Sequence, residues 1–457
     1  MVAYKQWYFN CLPSKATLAI FAGLSVSYSN KNTNRSEKTS YCQEIHVPTN
    51  SKNKVRILIV GSGLTGSLTA LRIRQRLETY QNKSNIEIEV AERATYPAGR
   101  FGAIANHQSC IADIGAQVLS TVNPHDPRAM GGHGINIQDI KLSYYIAQGL
   151  LSSGLLRPAS NESLGCTDER MLWEDLWLHY FPTKSMKSVL ENILREAKVQ
   201  PNFGVRIDSI QECDSEHKKM QVKGISRVPF PNLKEIREEP FVGFYDCVVF
   251  CIPSPDTCAI SGVLNMLDEK SRMVLQNVGY DQRTCEAHFF SPKLLPFLRK
   301  AFGSLIEISV GENEIDSKGE SAIEYISLQN VKRSSPIDSP KNEHEICSVV
   351  LHSKAGHLLS KEESTASLDK ELSKLTGLSE SQISSYRLNS RSICWETSQM
   401  IRPMESIISD PPFGWQCLRN SNGSLVLAGD YMTQSSFLGC VATADAAART
   451  VLNTIFE

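Results

Sequence analysis

The sequence predicts an α/β fold in which a parallel sheet is drawn from separated segments of the chain and an α+β domain is inserted between them. Three observations carry this expectation. The β-branched run Val55-Arg56-Ile57-Leu58-Ile59-Val60 enters a turn with glycine at 61, 63 and 66, which opens an amphipathic stretch from Ser67 to Tyr80. A second strand, Ile86-Glu87-Ile88-Glu89-Val90, alternates apolar and acidic residues and ends at Glu92. Far downstream, Leu425-Val426-Leu427-Ala428 runs into Gly429-Asp430 and then a helix from about Phe437 that is rich in alanine. Strand, glycine turn, helix and acid-terminated strand in that order form a Rossmann unit.

Composition sets the frame. A chain of 457 residues, 41% apolar and 21% charged, can bury a large core and is long enough for two packed domains. The net charge of -1 offers no basic footprint for nucleic acid. Thirteen cysteines, an odd number with no Cys-x-x-Cys pair, indicate neither a fully paired disulfide framework nor a zinc ribbon, and a reducing, cytoplasmic setting fits best. No His-Glu-x-x-His occurs, and His352 and His357 stand at i, i+5, so no metal is expected. Residues 1–53 have no acid before Glu37 and read as an extension outside the fold. Their short apolar run, Ala16 to Val26, leaves a disordered segment, a secretory signal and a mitochondrial leader all open. No later run is long enough for a membrane-spanning helix.

Each part of the nucleotide unit has a physical task. Gly61 permits the tight turn, Gly63 lets a diphosphate approach the backbone, and Gly66 lets the helix pack closely on the strand. The anion then meets free N–H groups at the helix start. Glu92 is placed to accept from the adenosine ribose hydroxyls and would repel a 2′-phosphate. Beyond it, Tyr96-Pro97-Ala98-Gly99-Arg100 offers Arg100 as a cation for diphosphate or flavin, and Ala112-Asp113-Ile114-Gly115-Ala116-Gln117 is small enough to lie against a ring. At the other end, Gly429 and Asp430 can serve ribityl hydroxyls. The helix start at Phe437 can then stabilise a reduced flavin's anion. A plain NAD dehydrogenase has no use for that return, so the cofactor expected is non-covalent FAD, with Cys440 read as a packed side chain.

The remaining segments divide accordingly. The near-continuous apolar run Phe244 to Ile252 reads as a buried parallel strand that closes the FAD sheet, with Cys247 and Cys251 in the core. The FAD-binding domain is expected over 54–122, 180–260 and 390–457, and the substrate domain over 123–179 and 261–389. Pro124 to Asn136 and Ser334 to Glu345 have the composition of surface loops. Gly131-Gly132-His133-Gly134 follows a proline-rich loop and not a strand, so no second dinucleotide unit is expected, and a nicotinamide substrate would stack directly on the flavin.

These residues resemble the renalase family of the flavin amine-oxidase-like superfamily. The resemblance runs from about residue 55 to the C-terminus. It is carried by Ile57 to Leu68, Ala112 to Gln117, Gly154-Leu155-Leu156-Arg157-Pro158, Asp246-Cys247-Val248-Val249 with Pro253, Trp395 with Ser398-Gln399, and Gly429-Asp430 with Thr433-Gln434-Ser435-Ser436-Phe437 and Gly439-Cys440. It implies an FAD-dependent oxidase that converts dihydro isomers of NAD(P)H to NAD(P)+, passing electrons to oxygen and giving hydrogen peroxide. By position it implies FAD contacts at Thr65, Arg100, Gln117 and Val118, and Ile207 beside the adenine. Ala98 departs from the family's usual second glycine, and Leu438 from an acid in the final loop.

Hydride loss from a dihydropyridine restores an aromatic ring without removing an N–H proton, so no general base is named. Trp395, Ser398, Gln399 and Gln434 are the candidate walls of the substrate cavity. The partners expected are a small dinucleotide and oxygen. Two rival readings are an amine oxidase or desaturase of the same superfamily, and a secreted binding or signalling protein that keeps the flavin fold.

Overall fold

The β-branched run at the start of the fold forms the strand Val55–Val60, which pairs in parallel on both sides, with Ile86–Glu92 and with Cys247–Phe250. The computed structural model describes residues 54–79, 85–97, 99–106, 110–126, 129, 135–160, 176–213, 219–229, 236–303, 305–310, 321–333, 346–402 and 416–456. The extension expected over 1–53, the glycines 131–134 and the loop from Ser334 to Glu345 lie outside them, as does most of the loop from Pro124 to Asn136. Asn53–Glu457 forms one compact unit.

Six strands make the first sheet, in the order Leu418–Arg419, Leu425–Leu427, Cys247–Phe250, Val55–Val60, Ile86–Glu92, Asn202–Phe203. All neighbours are parallel except the first pair. The period-2 alternation of a strand splits its side chains between two cores. Ile57 and Ile59 face one cluster with the first helix, Leu64–Leu77, and the C-terminal helix, Phe437–Phe456. Leu58 and Val60 face another, with Ile207, Met220 and Tyr431.

Two sequence expectations need correction. The helix begins at Leu64, three residues before Ser67, because Gly63 already serves as its N-cap and its carbonyl accepts from Ser67 N at 2.9 Å. The run from Phe244 to Ile252 is not one strand. Phe244 belongs to Ile236–Tyr245, an antiparallel partner of Met220–Pro229, and only Cys247–Phe250 enters the parallel sheet. Asp246 separates the two, its carboxylate accepting from Arg56 N at 2.7 Å, and Phe244 faces solvent. Apolar content alone hid that change of partner.

A five-stranded antiparallel sheet, ordered Glu307–Ser309, Ile323–Leu328, Cys347–Ser353, Arg283–Phe290, Arg387–Trp395, forms the second layer. One face packs under the helices Leu295–Phe302 and Lys361–Thr376. The other presents Cys285, Ala287, Phe289 and Val350 to Ala112 and Ile114.

The first and last helices are clamped together across the sequence. Asp445 accepts from Arg72 Nε at 2.8 Å and from Arg76 at 2.8 and 3.0 Å. Burial alone would raise its carboxyl, but the charges of Arg72 and Arg76 outweigh that and hold it below the usual range. A depressed folded value means the stability is fully present above the unfolded value near pH ~4 and is lost as pH falls through the folded one. Asp445→Ala is expected to cost about 2 kcal/mol in urea denaturation at pH 7, less than a fully buried pair because Arg76 reaches solvent. That deficit should shrink on acidification.

Candidate dinucleotide site

The turn after the first strand is built around missing side chains. Gly61 adopts φ +99° and its N–H donates to Ala91 O at 2.8 Å. A Cβ on Gly66 would stand 1.9 Å from Gly61 O, so the helix can approach the strand only without one. Gly63 differs: a Cβ there would meet nothing within 4 Å. The helix it caps has no side-chain cap and no acid in its first turn, so its leading N–H groups take no side-chain acceptor there, as a cradle for an anion requires.

Glu92 closes one side. Its Oε2 accepts from Ser62 N at 2.8 Å and Ser62 Oγ at 2.9 Å, and its Oε1 from Ala94 N at 2.8 Å. The acid expected to face a ribose thus also braces the glycine turn.

Opposite it, the structure brings the distant C-terminal segment to the same place. Arg100 donates from Nη1 to Asp430 Oδ2 at 2.6 Å and from Nη2 to Oδ1 at 2.7 Å, a bidentate pair across 330 positions. Burial would raise the Asp430 carboxyl, but the Arg100 charge and hydrogen bonds, with Ser435 Oγ, hold it below the usual carboxylate range. The same guanidinium donates to Ser398 O at 3.1 Å and lies 6.0 Å from the Tyr280 ring centroid. The Cys440 side chain, one turn into the C-terminal helix, is buried in one cluster with Leu64 at the start of the first helix. Burial pushes that thiol up to about 12, as expected of a packed cysteine.

The other expected residues fall in two groups. Gly429, extended, leads into buried Asp430, and its missing side chain leaves room for the Tyr431 ring. Phe437 starts the C-terminal helix, buried, and Gln434 precedes it with its carbonyl against Gly439. Leu438 packs with Val122 and Ile140, an apolar task that explains why no acid stands there. Ile207 is buried near Leu58, Val60 and Ala91, under the sheet.

The second group lies near where the five-stranded sheet packs against Ala112 and Ile114. Gly115 spends its smallness on the backbone, since a Cβ there would stand 1.9 Å from Arg100 O. Gln117 is buried and half-buried Val118 follows it. Trp395 Nε1 donates to Ile114 O at 3.3 Å, while the backbones of Ser398 and Gln399 bond to Asp281.

Sequence reasoning missed Ser62, Asp281 and, most of all, Lys332, whose Nζ bonds Asp113 and Gln117. Gln329-Asn330-Val331-Lys332-Arg333 reads as a polar stretch, and no spacing in it marks a buried cation. Thr433 Oγ1 is buried with no hydrogen-bond partner among the described residues. With the open space at Gly63 and the acid at Glu92, that unspent hydroxyl fits a polar cofactor spanning from the glycine turn to the C-terminal helix start.

The comparisons with known proteins agree with this geometry. Residues 59–130 match the family described as an NAD(P)-binding Rossmann-like domain. Renalase of Mus musculus is 22% identical over 238 residues, which cover 51% of this chain and 58% of that protein. The chain therefore aligns with little more than half the length of that curated relative. Among solved structures, a triple mutant of putrescine oxidase from a structure-based redesign of cofactor binding matches with a TM-score of 0.50 at 10% identity, covering 88% of this chain and 99% of that one. The fold is that of the putrescine oxidase structure it matches, with a Rossmann-like unit at its start.

The two helical glycines separate fold from ligand. Gly66→Ala is expected to destabilise by about 2 kcal/mol or more, since backbone must shift. Gly63→Ala should stay within about 0.5 kcal/mol of wild type. Chemical denaturation of both variants checks this.

Proposed function

We propose that this protein is an FAD-dependent oxidase acting on dihydro isomers of NAD(P)H, with the products NAD(P)+ and hydrogen peroxide. The observation that carries the cofactor reading is the Arg100–Asp430 pair, together with the packing of Phe437 and Cys440 in one buried cluster with Leu64, which brings the C-terminal helix start next to the glycine turn. Gly61, Gly63, Thr65 and Gly66 would hold the diphosphate, Glu92 the ribose, and Asp430 with Gly429 the ribityl chain. Arg100, Gln117, Val118, Ile207 and Phe437 would line the remainder. Bound FAD would supply the two-electron acceptor.

The substrate reading is supported by the likeness to renalase, by the residues Thr433 to Phe437 and Gly439-Cys440, and by the single dinucleotide unit in the sequence. In the net reaction one dihydronicotinamide, one oxygen and one proton give NAD(P)+ and hydrogen peroxide. The chain's own task is placement: the five-stranded sheet roofs the site, while Trp395, Ser398, Gln399 and Gln434 wall the substrate cavity and exclude water. No proton need be taken from nitrogen, so a dedicated base is not required. The fold shared with putrescine oxidase keeps amine oxidation as the alternative.

Anaerobic mixing of the FAD-loaded protein with dihydronicotinamide isomers, and separately with amines, tests the proposal by loss of flavin absorbance. Bleaching by a dihydronicotinamide isomer is expected. Bleaching by amines alone would refute the substrate assignment. In parallel, Gly63→Ala should weaken FAD binding at least tenfold while leaving the fold intact, because its methyl occupies the diphosphate's approach.

A further inference from the structure

Behind the segment 113–118 lies a buried charge cluster that the reaction above does not use. Lys332, on the short helix Gln329–Arg333, is fully buried, as is Asp113. Lys332 Nζ donates to Asp113 Oδ2 at 2.9 Å and to Gln117 Oε1 at 3.1 Å. Arg333 Nη2 donates to the same Asp113 oxygen at 3.2 Å, and Asp113 Oδ1 accepts from Met186 N at 2.9 Å. Gln329 completes the net, giving Nε2 to Gln117 Oε1 at 2.7 Å and accepting from Asp113 N at 3.1 Å.

Among the described residues two cations face one carboxylate, one positive charge more than negative. The nearest imidazole does not alter that count. His352 Nε2 lies 3.4 Å from Gln117 Nε2, and burial, then the charges of Arg283 and Lys332, push it down to about 3, leaving it neutral. An ammonium taken out of water is costly unless geometry repays it, and a bare structural link could be made by an uncharged side chain. This one is attached to Gln117, whose amide also donates to Asp113 O and Gly115 O at 2.6 and 3.0 Å, within the stretch assigned above to the cofactor.

We propose that Lys332 is a positioning residue that, through Asp113 and Gln117, holds the 113–118 segment against the flavin and places a fixed positive charge behind it. This rests on the FAD reading above. A buried positive charge favours the reduced, anionic ring over the neutral oxidised one, so it raises the flavin's reduction potential. A merely structural lysine would hold the fold and leave the potential alone.

The test uses FAD-loaded full-length protein and the variants Lys332→Gln and Lys332→Met, with FAD content measured first and the midpoint potential by anaerobic dye equilibration. Lys332→Gln keeps a polar end group on a shorter side chain and removes the charge. It is expected to retain flavin and to shift the two-electron reduction equilibrium about tenfold toward the oxidised form, a fall of ~30 mV. Lys332→Met should shift it in the same direction. Should Lys332→Met fail to fold, Lys332→Gln alone decides. A yellow Lys332→Gln protein with unchanged potential overturns this inference while leaving the cofactor reading standing. Wild-type protein that holds no flavin overturns both.

Discussion

A bidentate ion pair joins two ends of the chain: Arg100, just past the second strand, grips Asp430, just before the last helix. The pair is oriented by more than its own attraction. Ser435 adds a hydrogen bond to the Asp430 carboxylate and the Ser398 carbonyl one to Arg100, and such added partners help a buried pair offset its desolvation. With Asp430 fixed, the C-terminal helix starts beside the first helix, where Cys440 packs with Leu64 and Asp445 can reach Arg72 and Arg76. Loss of this junction would leave a glycine turn with only half a site.

The Rossmann part was legible because its chemistry is local. Glycines at 61, 63 and 66, a β-branched strand before them and an acid at the end of the next strand each do their work within forty residues of one another, and the structure places them as the spacing implies. Asp430 could be named because the Gly-Asp pair follows a strand and precedes a helix. Arg100 could be named as a candidate cation, but its pairing with Asp430 could not, since nothing in the sequence tells which carboxylate it meets. The strand break at Asp246 was likewise hidden, because an apolar run looks the same whether its neighbours are parallel or antiparallel.

Lys332 was illegible for a deeper reason. Lysine is among the residues least often buried, and its place here depends on a carboxylate about 220 positions earlier and on an amide in a segment with no charge pattern of its own. Such a group is found only when the five-stranded sheet is seen lying over Ala112 and Ile114. The stretch from Asp113 to Gln117 is thus held to the rest of the fold by Trp395, through Ile114, and by Lys332, through Asp113 and Gln117.

The central claim is that the glycine turn and the segment before the C-terminal helix serve one and the same ligand. Amide hydrogen exchange followed by mass spectrometry, with and without FAD, addresses it directly. The account predicts that saturating FAD slows exchange in peptides spanning residues 61–66 and 430–440 together, with the same dependence on FAD concentration. Protection of one segment without the other, or of neither, would contradict it.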